Sequence, residues 1–147
     1  MVENNTSHVD DILKKMSKEE PSGIKVLIVE DDKMISELLI TKLTKSGCVP
    51  YSTADGSEAI ALARECQPDV IILDLMLPGI SGEEILTILK GDETLKKIPV
   101  IIFSNSSEEV GKKKILELGA DRYFVKAFTN LNDLVADLKI LANKDSI

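Results

Sequence analysis

The stretch DVIILDL at residues 69–75 decides the fold, because its apolar run is nearly continuous and ends beside a single acid, Asp74. Two further runs have the same character, KVLIVE at 25–30 and IPVIIFS at 98–104. A strand that is apolar on both faces must be covered on both faces, which is typical of central strands in a parallel sheet. These three runs therefore predict the centre of an α/β domain.

Two weaker runs and five helical patterns complete the domain. The weaker runs are CVPYST at 48–53, where Pro50 suits an edge strand, and RYFVK at 122–126. Apolar residues recur with helical spacing after every run; these stretches cover about 33–46, 57–66, 82–91, 107–118 and 130–143. Strict alternation of this kind predicts a doubly wound (βα)5 fold, with a five-stranded parallel sheet, right-handed connections and helices on both faces.

Residues 1–23 form a leader that differs from the domain predicted over 24–147. The leader is polar, carries 3 basic and 5 acidic residues, and ends in a Pro-Ser-Gly boundary at 21–23. Part of it has helical periodicity, with Ser7 placed to cap, and this predicts a short helix over about 8–18 whose apolar positions are Val9, Ile12, Leu13 and Met16. Two interpretations stay open, a solvated leader and a helix that docks on its own domain or on a partner.

Composition excludes several classes of protein. The chain has 147 residues, 44% of them hydrophobic, which fits one domain with a real core, and its three phenylalanines (Phe103, Phe124 and Phe128) are expected in or near that core. A net charge of −7 and 3% aromatic residues argue against direct binding to nucleic acid or to anionic membranes. One histidine and two cysteines without a CxxC pattern support neither a zinc site nor a disulfide framework. We expect a cytoplasmic protein, because neither a signal peptide nor an apolar run of about 20 residues is present.

Polar residues follow four of the predicted strands. Because the carboxyl ends of parallel strands meet at one edge of the sheet, we expect these residues to converge there; they are Glu30, Asp31, Asp32, Asp74, Ser104 and Lys126. Neighbouring carboxylates repel one another unless a cation lies among them, and a site with oxygen ligands alone favours Mg²⁺. With an ammonium and a hydroxyl nearby, the pattern predicts a phosphoryl-transfer site in which Asp74 is the nucleophile.

The arrangement resembles the receiver domain of two-component response regulators, the fold of the chemotaxis receiver. The resemblance covers about residues 24–145 and depends on five motifs, which are VLIVEDD at 26–32, ILDLMLPGISG at 72–82, IIFSNSS at 101–107, GAD at 119–121 and YFVKAF at 123–128. It implies a flavodoxin-like fold with strand order 2-1-3-4-5.

The resemblance also implies a role for each matching residue. Asp74 corresponds to the family's phosphoacceptor, with Glu30, Asp31 and the backbone carbonyl of Met76 as further ligands of Mg²⁺, or of Mn²⁺ as a second candidate. Lys126 matches the invariant lysine. Ser104 matches the switch hydroxyl and Tyr123 the switch aromatic residue, while Asp32 is expected to cap the helix that follows.

Partners and output are implied in the same way. The phosphoryl group would come from a phosphohistidine of a sensor histidine kinase or of a histidine phosphotransfer protein. A downstream protein would bind the face made by the fourth helix, the fifth strand and the fifth helix. The chain would then be a signalling domain that assists only its own phosphorylation and dephosphorylation, and not an enzyme with a separate substrate.

Two positions depart from the family pattern, and alternatives follow from them. Ala127 stands where a proline is usual after the lysine, and Asn105 stands where a small residue is usual after the switch hydroxyl. A receiver-like interaction module that is not phosphorylated is therefore the alternative function. A flavin-binding protein is disfavoured by the three acids after the first strand. A dehalogenase-type phosphatase would need a second aspartate where Met76 stands.

Overall fold

The computed structural model describes residues 23–143, and the predicted leader helix over 8–18 lies outside them. Five strands alternate with five α-helices. The strands are β1 (Lys25–Val29), β2 (Val49–Thr53), β3 (Val70–Leu73), β4 (Val100–Ser104) and β5 (Arg122–Val125). The helices are α1 (Lys33–Lys45), α2 (Gly56–Cys66), α3 (Gly82–Gly91), α4 (Glu109–Glu117) and α5 (Leu131–Ala142), with a short 3₁₀ turn at Lys126–Phe128.

The strands form one parallel sheet in the order β2-β1-β3-β4-β5. This confirms the predicted doubly wound, flavodoxin-like fold. β2 lies on one side of β1, and the later strands β3, β4 and β5 lie on the other side. The strand order therefore reverses between β1 and β3, and a crevice opens at their carboxyl ends.

The core lies on both faces of the sheet. Every residue of β3 and β4 is buried, and so are four of the five residues of β1. One face packs on α2, α3 and α4 through residues such as Ala63, Leu86 and Ile115. The other face packs on α1 and α5 through residues such as Leu43 and Leu138. The three continuously apolar runs are thus the three central strands, as predicted.

β2 is an edge strand, as its proline indicated. Its first residue, Val49, donates its N–H to the carbonyl of Ile24 at 2.7 Å, and the strand pairs with β1 along its whole length. Pro50 lies opposite Val26 in this pairing.

Side chains at the carboxyl edge of the sheet start the helices that follow it. Asp32 accepts hydrogen bonds from the N–H groups of Met34 and Ile35, which confirms its predicted role as the cap of α1. Asp55 caps α2 in the same way through the N–H of Ser57. These caps satisfy N–H groups that a helix start leaves without a partner. Of the described helices, the longest is α1 with 13 residues. Within residues 23–143, no helix combines the length and apolar character needed to cross a membrane.

The prediction that all three phenylalanines lie in or near the core is wrong for Phe128. Phe103 is buried in β4 and Phe124 packs against the core, whereas Phe128 is 81% exposed. Phe128 ends the 3₁₀ turn after β5, where the chain has left the sheet and none of the helices within residues 23–143 covers its ring.

Candidate functional site

Glu30 is held at the carboxyl edge of the sheet directly after β1. Its N–H donates to the carbonyl of Thr53 at 3.1 Å, so the backbone of Glu30 continues the pairing of β1 with β2. The residue is only 3% exposed. One carboxylate oxygen, Oε2, accepts a hydrogen bond from the N–H of Asp32 at 3.1 Å. Burial raises the pKa of Glu30, and the hydrogen bonds from Lys126 and Asp32 limit the rise.

Asp74 is held in the same way after β3. Its N–H donates to the carbonyl of Val29 at 3.0 Å, which fixes its backbone beside the end of β1. The residue is 4% exposed, and its Oδ1 accepts a hydrogen bond of 3.1 Å from the N–H of Met76. Asp74 therefore lies in the crevice where the strand order reverses.

Lys126 joins these two carboxylates from the far side of the crevice. Its Nζ lies 2.6 Å from Oε1 of Glu30 and 3.1 Å from Oδ2 of Asp74. Burial alone would lower the pKa of Lys126, but its hydrogen bonds and charge interactions with Glu30 and Asp74 outweigh burial and raise it. The side chain therefore keeps its proton, and the positive charge lies between two negative ones.

The peptide bond after Lys126 matters because Ala127 stands where a proline is usual. No cis peptide bond occurs between residues 23 and 143, so the bond from Lys126 to Ala127 is trans. The chain leaves β5 through the 3₁₀ turn Lys126–Phe128, which Thr129 closes by donating its hydroxyl to the carbonyl of Val125. With alanine in place of proline, the turn still directs the ammonium of Lys126 into the crevice.

Asp31 completes a group of three acids. Carboxylate oxygens of Glu30, Asp31 and Asp74 lie within 4.8 Å of one another. Asp31 is exposed, whereas the other two are buried, so the group opens to solvent on one side. When all groups are ionised, the three carboxylates and the Lys126 ammonium carry a net charge of −2. One divalent cation would neutralise that charge, and carboxylate oxygens are the ligands that hard divalent cations prefer. The residues present therefore fit a metal ion.

Ser104 and Tyr123 lie one and two strands beyond Asp74. Ser104 ends β4 fully buried, and its Oγ accepts a hydrogen bond of 3.5 Å from the N–H of Ser106. Within residues 23–143, no hydrogen bond joins Ser104 to Asp74. The hydroxyl of Tyr123 donates to the carbonyl of Ser106 at 2.9 Å. The segment after β4 is thus held from both sides, by Ser104 and by Tyr123.

The loop from Asp74 to Gly82 ends next to the backbone at which it begins. Gly79 has a φ of +81°, a left-handed conformation that glycine adopts without strain and that makes the sharp turn after Pro78 possible. The N–H of Gly82 then donates to the carbonyl of Leu75 at 3.1 Å. Gly82 therefore packs directly on the backbone that carries Asp74.

Two features of the site were not predicted from the sequence. The ring of Phe103 lies 5.8 Å from Nζ of Lys126, within the range of a cation–π contact. Beside it, an apolar cleft of about 190 Å³ opens between α1 and the 3₁₀ turn, lined by residues that include Ile35, Leu38 and Leu131. Sequence patterns do not reveal such a cleft, because its walls come from distant parts of the chain.

Comparison with known proteins gives one consistent result. The model of the response regulator receiver domain family matches residues 26–139. Among solved structures, the receiver domain of response regulator 1452 from Francisella is 33% identical, with a TM-score of 0.77 over 82% of this chain and 98% of that one.

Two further similar structures are of response regulators in a phosphorylated form and in a metal-bound form. The phosphorylated cyanobacterial phytochrome response regulator RcpA is 33% identical, with a TM-score of 0.68 over 81% of this chain and 91% of that one. The Mn²⁺-bound form of response regulator Rcp1 is 30% identical, with a TM-score of 0.63 over 84% of this chain and 92% of that one.

Proposed function

We propose, since this chain belongs to the response regulator receiver domain family of two-component signalling, that Asp74 accepts a phosphoryl group from a phosphohistidine and thereby switches the binding of a partner protein. The observation that carries the proposal is the position of the Lys126 ammonium, within 3.1 Å of Asp74 and 2.6 Å of Glu30. The related regulator RcpA has been solved in a phosphorylated form, which supports the same chemistry here.

The proposed reaction is a displacement at phosphorus. An oxygen of the Asp74 carboxylate forms a new bond to phosphorus while the bond from phosphorus to the donor's imidazole nitrogen breaks. The electron pair of that bond returns to the imidazole, which takes up a proton. Lys126 already lies against Oδ2 of Asp74 and offers a positive charge to the phosphoryl oxygens. Because Lys126 is buried between two carboxylates, little rearrangement is needed to supply that charge.

A divalent cation, Mg²⁺ or Mn²⁺, would be held by Glu30, Asp31, Asp74 and the backbone carbonyl of Met76. When bound, it would neutralise charge on the carboxylates and on the transferred phosphoryl group. The three carboxylates meet within 4.8 Å, and the similar response regulator Rcp1 has been solved in a Mn²⁺-bound form, which supports a divalent cation here. The exposed carboxylate of Asp31 marks the solvent side of this site.

We expect Mg²⁺ or Mn²⁺ to bind weakly, and the double variant Glu30→Gln with Asp31→Asn to bind at least about tenfold less well, because two anionic ligands are lost. Affinity should also fall as the pH falls, since the ligands must be ionised. Titration of the metal followed by NMR would measure both effects. Asp32→Asn is the matched control, because asparagine still caps α1. Equal affinities of the double variant and the unchanged chain would mean that the metal lies elsewhere.

The conformational change that follows phosphorylation would pass from Ser104 to Tyr123. An aspartyl phosphate adds about two negative charges and strong acceptor oxygens, and by likeness to the family Ser104 would move to meet it. The segment after β4 is bonded to both Ser104 and Tyr123 through Ser106, so a shift of Ser104 would reach the ring. Lys112 of α4 lies over that ring at 5.9 Å, which extends the path to the surface.

Addition of beryllofluoride, a mimic of the phosphoryl group, is expected to shift the amide signals of residues 104–106, of Tyr123 and of α4. The physical reason is a population shift between two arrangements of the Ser104–Tyr123 segment. NMR spectra with and without the mimic would measure it, with β2 (Val49–Thr53) as the part of the sheet that should change least. Changes confined to the loop around Asp74 would contradict the switch and favour a module without one.

Receiver domains act between histidine kinases and downstream targets, and we propose both kinds of partner here. The apolar cleft beside Lys126 lies close to Asp74 and would contact the protein that carries the phosphohistidine. The downstream protein would contact the face made by α4, β5 and α5. Exposed Val110 and Ile140 supply apolar surface on α4 and α5.

The alternative, an interaction module that is not phosphorylated, rested on Ala127 and Asn105. The contact of 3.1 Å between Lys126 and Asp74, formed with Ala127 in place of a proline, supports phosphorylation over this alternative. Asn105, the other departure from the family pattern, is exposed in the loop after β4. Labelling of the chain with a small phosphodonor would separate the two functions.

A further inference from the structure

Phe103 places an aromatic ring beside the ammonium of Lys126. Nζ of Lys126 lies 5.8 Å from the centre of the ring, within the distance over which the negative face of an aromatic ring attracts a cation. Both side chains line the apolar cleft of about 190 Å³. Phe103 is 5% exposed and the Lys126 side chain 8%, so little water competes with the contact. An attraction of this kind is stronger when its partners are removed from water.

Lys126 receives little support from its own segment of the chain. It begins the 3₁₀ turn Lys126–Phe128, which lies outside the sheet, and the next two residues, Ala127 and Phe128, are both exposed. A lysine side chain has a long flexible stem, and holding that stem in one conformation costs entropy. The contacts that hold the ammonium in the crevice must therefore come from other elements of the fold.

Phe103, in contrast, belongs to a central strand that is buried along its whole length. β4 lies between β3 and β5, and all five of its residues are buried. Phe103 is paired with Phe124 of β5 and belongs to the core cluster on the side of α1 and α5. Its ring is therefore held in place relative to the ends of β1 and β3, which Glu30 and Asp74 follow.

The ammonium of Lys126 has two oxygen partners and the ring. An ammonium group carries three N–H donors. Oε1 of Glu30 and Oδ2 of Asp74 lie within 3.1 Å of Nζ, and within residues 23–143 no third oxygen accepts a hydrogen bond from it. On the side of the cleft the ammonium thus meets an apolar wall that includes the ring of Phe103. Without that ring, water would enter and hydrate the charge.

We infer that Phe103 is a positioning residue for Lys126, because its ring holds the ammonium against Glu30 and Asp74 and keeps water away from it. In the proposed function, on which this inference rests, that ammonium offers its charge to the transferred phosphoryl group. Without the ring, the ammonium would spend part of its time away from Asp74, and hydration would weaken the charge that it offers. Phosphorylation of Asp74 would then be slower, although Asp74 and Lys126 themselves are unchanged.

Two changes at position 103 test the inference in the full chain and without a phosphodonor. Phe103→Leu removes the ring, whereas a ring-fluorinated phenylalanine at this position keeps the shape of the ring and makes its face less negative. NMR of ¹⁵N-labelled lysine ammonium groups would measure how fast Lys126 exchanges protons with water, and the signal that Lys126→Met removes identifies it. We expect exchange to be about twofold to thirtyfold faster in Phe103→Leu, with the fluorinated chain in between.

Phe124→Leu is the matched control. Phe124 lies opposite Phe103 on β5 and packs on the same cluster, so this change removes an equal ring and leaves the contact between Phe103 and Lys126 in place. Its ammonium exchange should equal that of the unchanged chain, and so should its rate of labelling by acetyl phosphate with Mg²⁺. Phe103→Leu should be labelled more slowly, by a factor similar to the change in its ammonium exchange.

Equal ammonium exchange in Phe103→Leu and in the unchanged chain would overturn the inference. So would a fluorinated chain that behaves like the unchanged one while Phe103→Leu differs, because the ring would then only fill space. If Phe103→Leu does not fold, the fluorinated chain, which loses no volume, decides alone. Since the exchange is measured without phosphorylation, a failure of acetyl phosphate to label the unchanged chain would count against the proposed function and not against the role of Phe103 in holding Lys126.

Discussion

Asp74→Asn is expected to abolish phosphorylation of the chain. The amide is a poor nucleophile, and the change also removes one of the three anionic groups that would hold the cation. Lys126 keeps Glu30 as a partner at 2.6 Å, so the fold around the site should survive the loss of its second carboxylate. Mass measurement after incubation with acetyl phosphate and Mg²⁺ would show one added phosphoryl group on the unchanged chain and none on the variant.

The matched control for this experiment is Asp55→Asn. Asp55 follows β2 at the same edge of the sheet and caps α2, a role that asparagine fills equally well. Its labelling should equal that of the unchanged chain. If the Asp74 variant gains the same mass as the control, Asp74 is not the acceptor. If the unchanged chain also gains none, the interaction module without phosphorylation becomes the better account.

Gly82→Ala is expected to destabilise the domain by about 3 kcal/mol, at the upper end of the cost of overpacking. A methyl group on Gly82 would overlap the carbonyl oxygen of Asp74 and would lie 2.6 Å from Cα of Leu75. Backbone atoms cannot turn aside as a side chain can, so either α3 or the end of β3 must move. Urea unfolding would measure the lost stability, and we expect weaker phosphorylation as well, because the same movement displaces Asp74.

Gly91→Ala provides the comparison within the same helix. A methyl group on Gly91 would meet nothing within 4 Å, and alanine favours helix formation over glycine by up to about 1 kcal/mol. This variant should be as stable as the unchanged chain or slightly more so. Equal unfolding midpoints for Gly82→Ala and the unchanged chain would show that the loop can absorb the methyl group.

The elements of the fold were predictable because strand and helix periods differ so clearly along the chain. Continuous apolar runs marked β1, β3 and β4, and Pro50 marked an edge. The order of the strands in the sheet was not predictable from the hydrophobic pattern, because that pattern does not state which strands pair. That order came only from the resemblance to a family, and the sheet confirms it.

The candidate site was predictable as far as strand ends determine it. Glu30 and Asp74 follow β1 and β3 directly, so parallel pairing was enough to place them together. The reach of Lys126 was not predictable, because it depends on a 3₁₀ turn that forms without the usual proline. The exposure of Phe128 follows from that same turn. Tyr123 and Ser106 meet through a backbone carbonyl, a contact that residue types do not encode.

The proline at the margin of the sheet has a consequence for the behaviour of concentrated or partly unfolded protein. Val49 directs its N–H inward to Ile24, and neighbouring residues of a strand direct their N–H groups to opposite sides. The nitrogen of Pro50 therefore faces outward, where it lacks the hydrogen that an added strand from another molecule would need. Pro50 leaves the pairing with β1 intact and makes the outer side of β2 a poor template for aggregation.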